Sequence, residues 1–305
     1  MQKPLFLLIA AALVFGMCVD SAVAAPNGPT SQTIWYGHFA TSPCPSTSVF
    51  SGPGTKWLNI DQQTAMVTCQ TDPLGSGIRV GRFDVPNPSH TYIGSAARAD
   101  LEGPELMSPT ANANVYASVS TYVPLSTLPA MTTTCCGEPY PGHQVMELYG
   151  PPYHGSPMVA VGIEKLASTS YRWWVARNLP CNCTHDDYWR GPTITTDSWH
   201  SLIVHINWSP DPTVGYVELW YDGQPQSLIP QTLTGATLAT GSTGLPHSRL
   251  YYANWTSQNN GAPNFEDIDL YANGTVGTTA TEYQGEAMIG KTLRSVEPTM
   301  GWHGP

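Results

Sequence analysis

Two neighbouring segments constrain the fold more than any other part of the chain. Ser201-Leu202-Ile203-Val204-His205-Ile206-Asn207-Trp208 alternates, with Leu202, Val204, Ile206 and Trp208 on one face. Tyr216-Val217-Glu218-Leu219-Trp220-Tyr221 alternates as well and runs straight into Asp222-Gly223. A period of two belongs to a strand with one buried face, and Asp-Gly is a strong hairpin-turn signal. With these two included, strand-like segments separated by turn signals recur over 78–83, 114–123, 143–149, 158–163, 171–177, 199–208, 215–221, 249–255 and 265–271. The chain carries 28 Gly and 28 Pro, and no long helical period survives outside the first 25 residues. Segments of this length, punctuated by Gly, Pro and Asn, predict an all-β chain folded as a two-sheet sandwich of jelly-roll type.

The charge balance narrows the function classes. Lys and Arg total 12 and Asp and Glu 22, a formal net charge of −10. That argues against nucleic acid as a partner, because affinity there comes from cations neutralising phosphates. Hydrophobic residues at 41% argue against a disordered chain.

Residues 1–24 read as a secretory signal peptide, with Lys3 before an uncharged apolar run from Leu5 to Met17 and Ala22-Val23-Ala24 at the cleavage site. The run is shorter than the roughly 20 residues of a membrane span. The expectation is a secreted, extracellular protein with no membrane span in the mature chain. Residues 25–305 are then one β-domain opening on a Ser/Thr/Pro-rich stretch. Outside the signal the chain has Cys44, Cys69, Cys135, Cys136, Cys181 and Cys183. An even number in an exported chain predicts disulfides. Adjacent and C-x-C cysteines resist bridging each other, so Cys44–Cys69 and two bridges from Cys135-Cys136 to Cys181 and Cys183 are expected. Four Asn-x-Ser/Thr sequons begin at Asn182, Asn207, Asn254 and Asn273.

Trp199 to Ser209, continued by Gly215 to Gly223, resembles the paired strands of concanavalin A-like jelly rolls. It is similar in particular to the secreted polysaccharide lyases related to heparin lyase I and glucuronan lyase. Val145-Met146-Glu147-Leu148-Tyr149-Gly150-Pro151-Pro152 resembles that family's central strand and the turn after it. Arg98-Ala99-Asp100-Leu101 is similar to its earlier "R-x-E-L" strand, and Phe265 to Tyr271 to a late one. The likeness runs from Arg98 to Gly277. It departs at two places. Glu147 and Tyr149 stand where the family reads Q-x-H-G, and Asn254-Trp255-Thr256 stands where it carries a Tyr.

The resemblance implies β-elimination on a uronic-acid polysaccharide. Such a reaction needs a group to neutralise the C6 carboxylate, a base for the C5 proton and an acid for the leaving oxygen. Arg98 is the candidate neutraliser, since a guanidinium grips a carboxylate through two parallel hydrogen bonds. Its structural alternative is an ion pair with Asp100 or Glu102. Tyr149 is the candidate base, with packing as a strand aromatic as its alternative. His143 and His154 flank the same strand, and Tyr252 is a second candidate acid. A strict two-residue period puts His143, Val145, Glu147 and Tyr149 on one face, expected to be a groove face because it carries Glu147.

Glu147 also allows a glycoside hydrolase, which on this fold uses two carboxylates. A third reading is a lectin-like, non-catalytic binding protein. Trp174, Trp189 and Trp255 are the candidate stacking surfaces for sugar, and His154 a further contact. Glu266, Asp267 and Asp269 cluster as a candidate structural Ca2+ site. The expected partner is an extracellular polysaccharide, met by a monomer. Long-range repulsion at −10 favours a weakly charged uronate polymer or a neutral glycan over heavily sulfated heparin.

Overall fold

A computed structural model describes residues 29–40, 46–49, 66–85, 98–101, 113–126, 133–135, 138–140, 143–148, 159–167, 170–178, 185–208, 216–229, 232–233, 236–237, 268–273 and 280–301. The first strands are β1 (Thr33–His38), β2 (Ser46–Val49), β3 (Met66–Thr71), β4 (Arg79–Val85), β5 (Arg98–Leu101) and β6 (Ala113–Tyr122). Next come β7 (Thr133–Cys135), β8 (Glu138–Tyr140), β9 (His143–Leu148), β10 (Val159–Ala167), β11 (Ser170–Asn178) and β12 (His185–Thr193). The remainder are β13 (Trp199–Trp208), β14 (Tyr216–Tyr221), β15 (Gln224–Pro225), β16 (Thr232–Leu233), β17 (Ala236–Thr237), β18 (Ile268–Asn273) and β19 (Ala280–Gly290). A 3₁₀ turn follows at Leu293–Val296.

Two antiparallel sheets carry the fold. The larger runs β15-β14-β13-β6-β19-β1-β2, with β4 also on β19 and β3 on β4. The smaller runs β12-β11-β10-β9-β18-β5. The expected two-sheet β-sandwich is thus the observed one. The alternation that predicted the 199–223 hairpin decides its packing: Leu202, Val204 and Ile206 join Val217 and Leu219 in the core. Asp222 (φ 47°) and Gly223 (φ 82°) both take the left-handed conformation that a tight two-residue hairpin requires. The Asp222 carboxylate then accepts from the Ser201 amide at 2.8 Å and meets His200 Nδ1 at 2.8 Å, tying the turn to the start of β13.

The core lies between the sheets. Val145, Met146, Leu148, Val161, Ile163 and Trp173 from the smaller sheet meet Trp35, Phe83, Val119 and Leu202 from the larger. The far face of the larger sheet is covered by the segment after β19. There Ile203, Trp220, Met288 and Val296 form a second apolar cluster. Ser201 Oγ donates to the Gly301 carbonyl at 3.0 Å, and Thr33 Oγ1 to that of Ser295 at 2.7 Å.

β19 changes partner along its length. Ala280 to Gln284 pair with β4, and Glu286 to Gly290 with β1. The register to β6 slips over the same stretch, between Gln284 and Ala287. Gly285 sits at that switch, and a Cβ there would come within 2.5 Å of Ser120 Oγ and 3.1 Å of Met300 Sδ. Only glycine lets the three elements approach this closely.

Candidate functional site

The face of the smaller sheet turned away from the core is identified by register. Met146 and Leu148 are buried, and they stand opposite Leu270 and Ile268. Residues directly opposed in an antiparallel pair occupy the same face. The positions of Glu147 and Asp269, opposite each other, therefore belong to the other face. The next strand continues the row, with Tyr271 opposite Asp100 and Asn273 opposite Arg98. In the other direction Glu147 stands opposite Ala160, Gly162 opposite Trp174, and Trp174 opposite Arg190. Arg172, between the core residues Tyr171 and Trp173, takes the same outward face.

This face therefore brings together the positions of Arg98, Asp100, Glu147, Asp269, Tyr271, Arg172 and Arg190. Three of the chain's 12 Lys and Arg residues frame it, Arg98 at one edge and Arg172 and Arg190 toward the other. Tyr271 was not singled out from sequence. Its signal is the alternation in Ile-Asp-Leu-Tyr, which places it on the same face as Asp269.

Two expectations need correction. The two-residue period in β9 does not hold, because the register to β10 shifts between its pairs at Met146 and Gln144. A β-bulge re-phases the strand. Gln144, not His143, then shares the face of Glu147, and His143 stands opposite the core residue Ile163. Trp189 is no stacking surface either. It is 4% exposed, belongs to the core and packs against Tyr221 at 5.8 Å between ring centroids. Adjacent aromatics alternate faces, and here the core takes the Trp. Trp174 does lie on the outward face, but it is only 6% exposed and packs on Ala160.

The signal segment and Tyr149, His154, Tyr252, Trp255, Glu266 and Asp267 lie outside the described residues, as do Cys44, Cys136, Cys181 and Cys183. Cys69 on β3 is disulfide-bonded, and Cys135 ends β7. Among the described residues no group of three or more His, Cys, Asp or Glu converges on a metal position, and no helix is long and apolar enough to cross a membrane.

The far side of the larger sheet carries polar clusters of its own. His205 stacks on Tyr116 with centroids 3.9 Å apart and planes 6° apart. Its Nδ1 meets Glu218 Oε2 at 2.6 Å and its Nε2 meets Asn114 Oδ1 at 3.0 Å. Burial first, then the charge of Glu218, pushes the Tyr116 hydroxyl up to about 12. On the core side of the same sheet, 5.7 Å from the Trp173 ring, His200 is engaged at both nitrogens too, by Asp222 and by the Thr195 carbonyl at 2.8 Å. With both ring nitrogens held, neither imidazole is placed to move a proton to a ligand.

A family model described as "Polysaccharide lyase" matches residues 105–268, more than half of the chain and including the central strands of the outward face. The chain belongs to the polysaccharide lyase family. Among solved structures, the endo-β-1,4-glucuronan lyase from the fungus Trichoderma reesei is similar at a TM-score of 0.54 and 11% identity. That likeness covers 88% of this chain and 98% of the other, and it identifies the two-sheet architecture as a jelly roll. The T. cruzi calreticulin globular domain follows at a TM-score of 0.45 and 12% identity, covering 86% of this chain and 89% of the other. No curated protein matches the sequence significantly. In this polysaccharide lyase the family match and the framed face coincide on β9, β10, β11 and β12.

Proposed function

We propose that this polysaccharide lyase is a secreted enzyme that cleaves a uronic-acid-containing glycan by β-elimination on the outward face of the smaller sheet. The observation that supports it most is the frame of Arg98, Arg172 and Arg190 around the positions of Glu147 and Tyr271. The arginine positions share that face with carboxylates at Asp100, Glu147, Glu164 and Asp269, and a guanidinium there grips a uronate carboxylate through paired hydrogen bonds. Arg98 neutralises the C6 carboxylate, which stabilises the carbanion-like charge that develops as the C5 proton leaves. A tyrosine, Tyr149 or Tyr271, takes that proton. The C5–H electron pair becomes the C4=C5 double bond as the C4–O bond breaks, and the departing oxygen takes a proton from Tyr252 or from the tyrosine just protonated. His154 and Trp255 are contacts assigned to this reaction from sequence. Glu266, Asp267 and Asp269 hold structural Ca2+ in this reading, Asp269 lying beside Glu147 on the adjacent strand.

The assay is absorbance near 230–240 nm, where the new unsaturated ends absorb. The protein is incubated with a panel of uronate polysaccharides, with and without chelator. Expected is a rise that Arg98→Ala abolishes and that Tyr149→Phe or Tyr271→Phe abolishes singly, with folding unchanged. No rise on any uronate polymer refutes the proposal. One observation favours a second reading. Glu147 and Asp269 stand directly opposite on adjacent strands, and a retaining glycosidase uses two neighbouring carboxylates. New reducing ends without absorbance, lost in Glu147→Gln, would select it.

A further inference from the structure

The partner switch of β19 opens a cleft on the larger sheet, on the opposite side of the molecule's core from the outward face described above. It is a solvent-open cleft of about 60 Å³, lined by Tyr36, His38, Arg79, Glu286, Phe39 and Met300 among others. Such a break in a sheet is ordinarily filled by side chains.

The chemistry of the lining is selective. Arg79 is exposed at the rim and makes no ion pair among the described residues. His38 is 8% exposed, and its Nδ1 is buried with no hydrogen-bond partner. Of the three histidine side chains described, it is the one not held at both nitrogens. The His38 side chain lines the cleft and is not committed to a hydrogen bond through Nδ1. Tyr36 stacks on His38 at 4.8 Å and donates its hydroxyl to Glu286 Oε2 at 2.9 Å. The Thr299 amide donates to the other oxygen of Glu286. Burial holds the Glu286 carboxyl above the ordinary carboxylate range, against the hydrogen bonds from Thr299 and Tyr36. Burial also holds His38 below the ordinary imidazole range, which leaves it a neutral donor and acceptor. Among the described residues that line the cleft, Arg79 is the one cation. Phe39, Ile78 and Met300 add apolar surface that suits the C–H face of a sugar ring.

We propose that this cleft is a second binding site that takes a single uronate residue, its carboxylate on Arg79 and a hydroxyl on His38. The carboxylate and hydroxyl chemistry stands on the cleft itself; its assignment to a sugar rests on the proposed function. A uronate reaches it from two sources, the end of a glycan chain or a free monosaccharide.

The test is titration of the full protein with glucuronate, with a short uronate oligosaccharide and with glucose, followed by isothermal calorimetry or ligand-observed NMR. Arg79→Gln is expected to weaken both uronates about tenfold, the scale of one charge-assisted hydrogen bond, and to leave glucose unchanged. His38→Phe is expected to weaken them as well while the protein keeps its melting temperature. Equal weakening of monomer and oligomer assigns the free sugar, and loss of the oligomer alone assigns the chain end. Uronate binding that Arg98→Ala removes and Arg79→Gln leaves intact overturns the inference and keeps the groove. Binding that depends on Arg79 in a protein without any lyase product keeps the inference and overturns the proposed reaction.

Discussion

Gly75 and Gly301 share a backbone conformation and differ in what surrounds them, and that difference can be measured. Both lie in the left-handed region, at φ +79° and +72°. A Cβ at Gly75 would meet nothing within 4 Å. At Gly301 it would lie 2.7 Å from the His200 carbonyl carbon and 2.8 Å from the Ser201 nitrogen. Gly75→Ala should therefore cost only the conformational strain, about 1 kcal/mol. Gly301→Ala cannot be relieved by a rotamer, because the obstacle is the backbone of β13. The segment must lift away. It then loses the hydrogen bond from Ser201, worth about 1 kcal/mol, and the burial of Met300, worth about 2 kcal/mol. The expected loss is about 3 kcal/mol. At about 2 °C per kcal/mol for a chain of this size, the melting temperature falls about 2 °C for Gly75→Ala and about 6 °C for Gly301→Ala. Thermal unfolding followed by tryptophan fluorescence reads both. Equal losses in the two variants would refute the argument that packing against β13 holds the segment in place.

Three further outcomes follow from the same packing. Glu286 has a folded-state pKa raised by burial above its ordinary 4.5, despite its hydrogen bonds from Thr299 and Tyr36. Its contribution is therefore complete below that value and is lost as pH rises through the folded pKa. Glu286→Gln should gain on the parent protein in melting temperature between pH 4 and pH 8, and a flat or falling difference would contradict the assignment. Glu218→Ala leaves His205 Nδ1 buried without its acceptor and should cost about 3 kcal/mol in urea unfolding, whereas a loss under 1 kcal/mol would mean the pair is solvent-relaxed. Trp189→Ala should cost about 3–5 kcal/mol as a core cavity while glycan affinity in the still-folded fraction stays unchanged; a selective loss of affinity would restore it as a sugar contact.

Most strands that pack by alternation were legible. β13 matches its expected span of 199–208, and β6, β9, β14 and β11 lie within a residue or so of theirs at each end. β19 was not seen, for a physical reason. It carries Glu282, Gln284 and Glu286, which read as surface but are 0%, 0% and 6% exposed. Their partners come from distant strands: Thr121 donates to Glu282 at 2.6 Å, and Tyr36 reaches Glu286. A polar strand becomes a central one only through those contacts, and no local pattern announces them. β1 was hidden in a Ser/Thr/Pro-rich stretch, and β12 carries Asp186, Asp187 and Pro192. In the candidate site, the positions of Glu147 and Asp269 were visible as residues but not as neighbours, since register is a tertiary fact. The bulge in β9 shows the limit of periodicity: one extra residue exchanged His143 for Gln144.

The position of β19 also sets an order of events. It follows every other described strand in sequence, yet it lies in the middle of the larger sheet, with β6 on one side and β4 and β1 on the other. Until it arrives, the β6-β13-β14 array, the β1-β2 pair and the β3-β4 pair are separate pieces with open edges, each a template for pairing with another chain. Their joining must wait for long-range closure, with its entropic delay. A growing chain therefore holds three unjoined pieces until β19 is made, and a chaperone that shields strand edges would matter most just before Ala280 emerges.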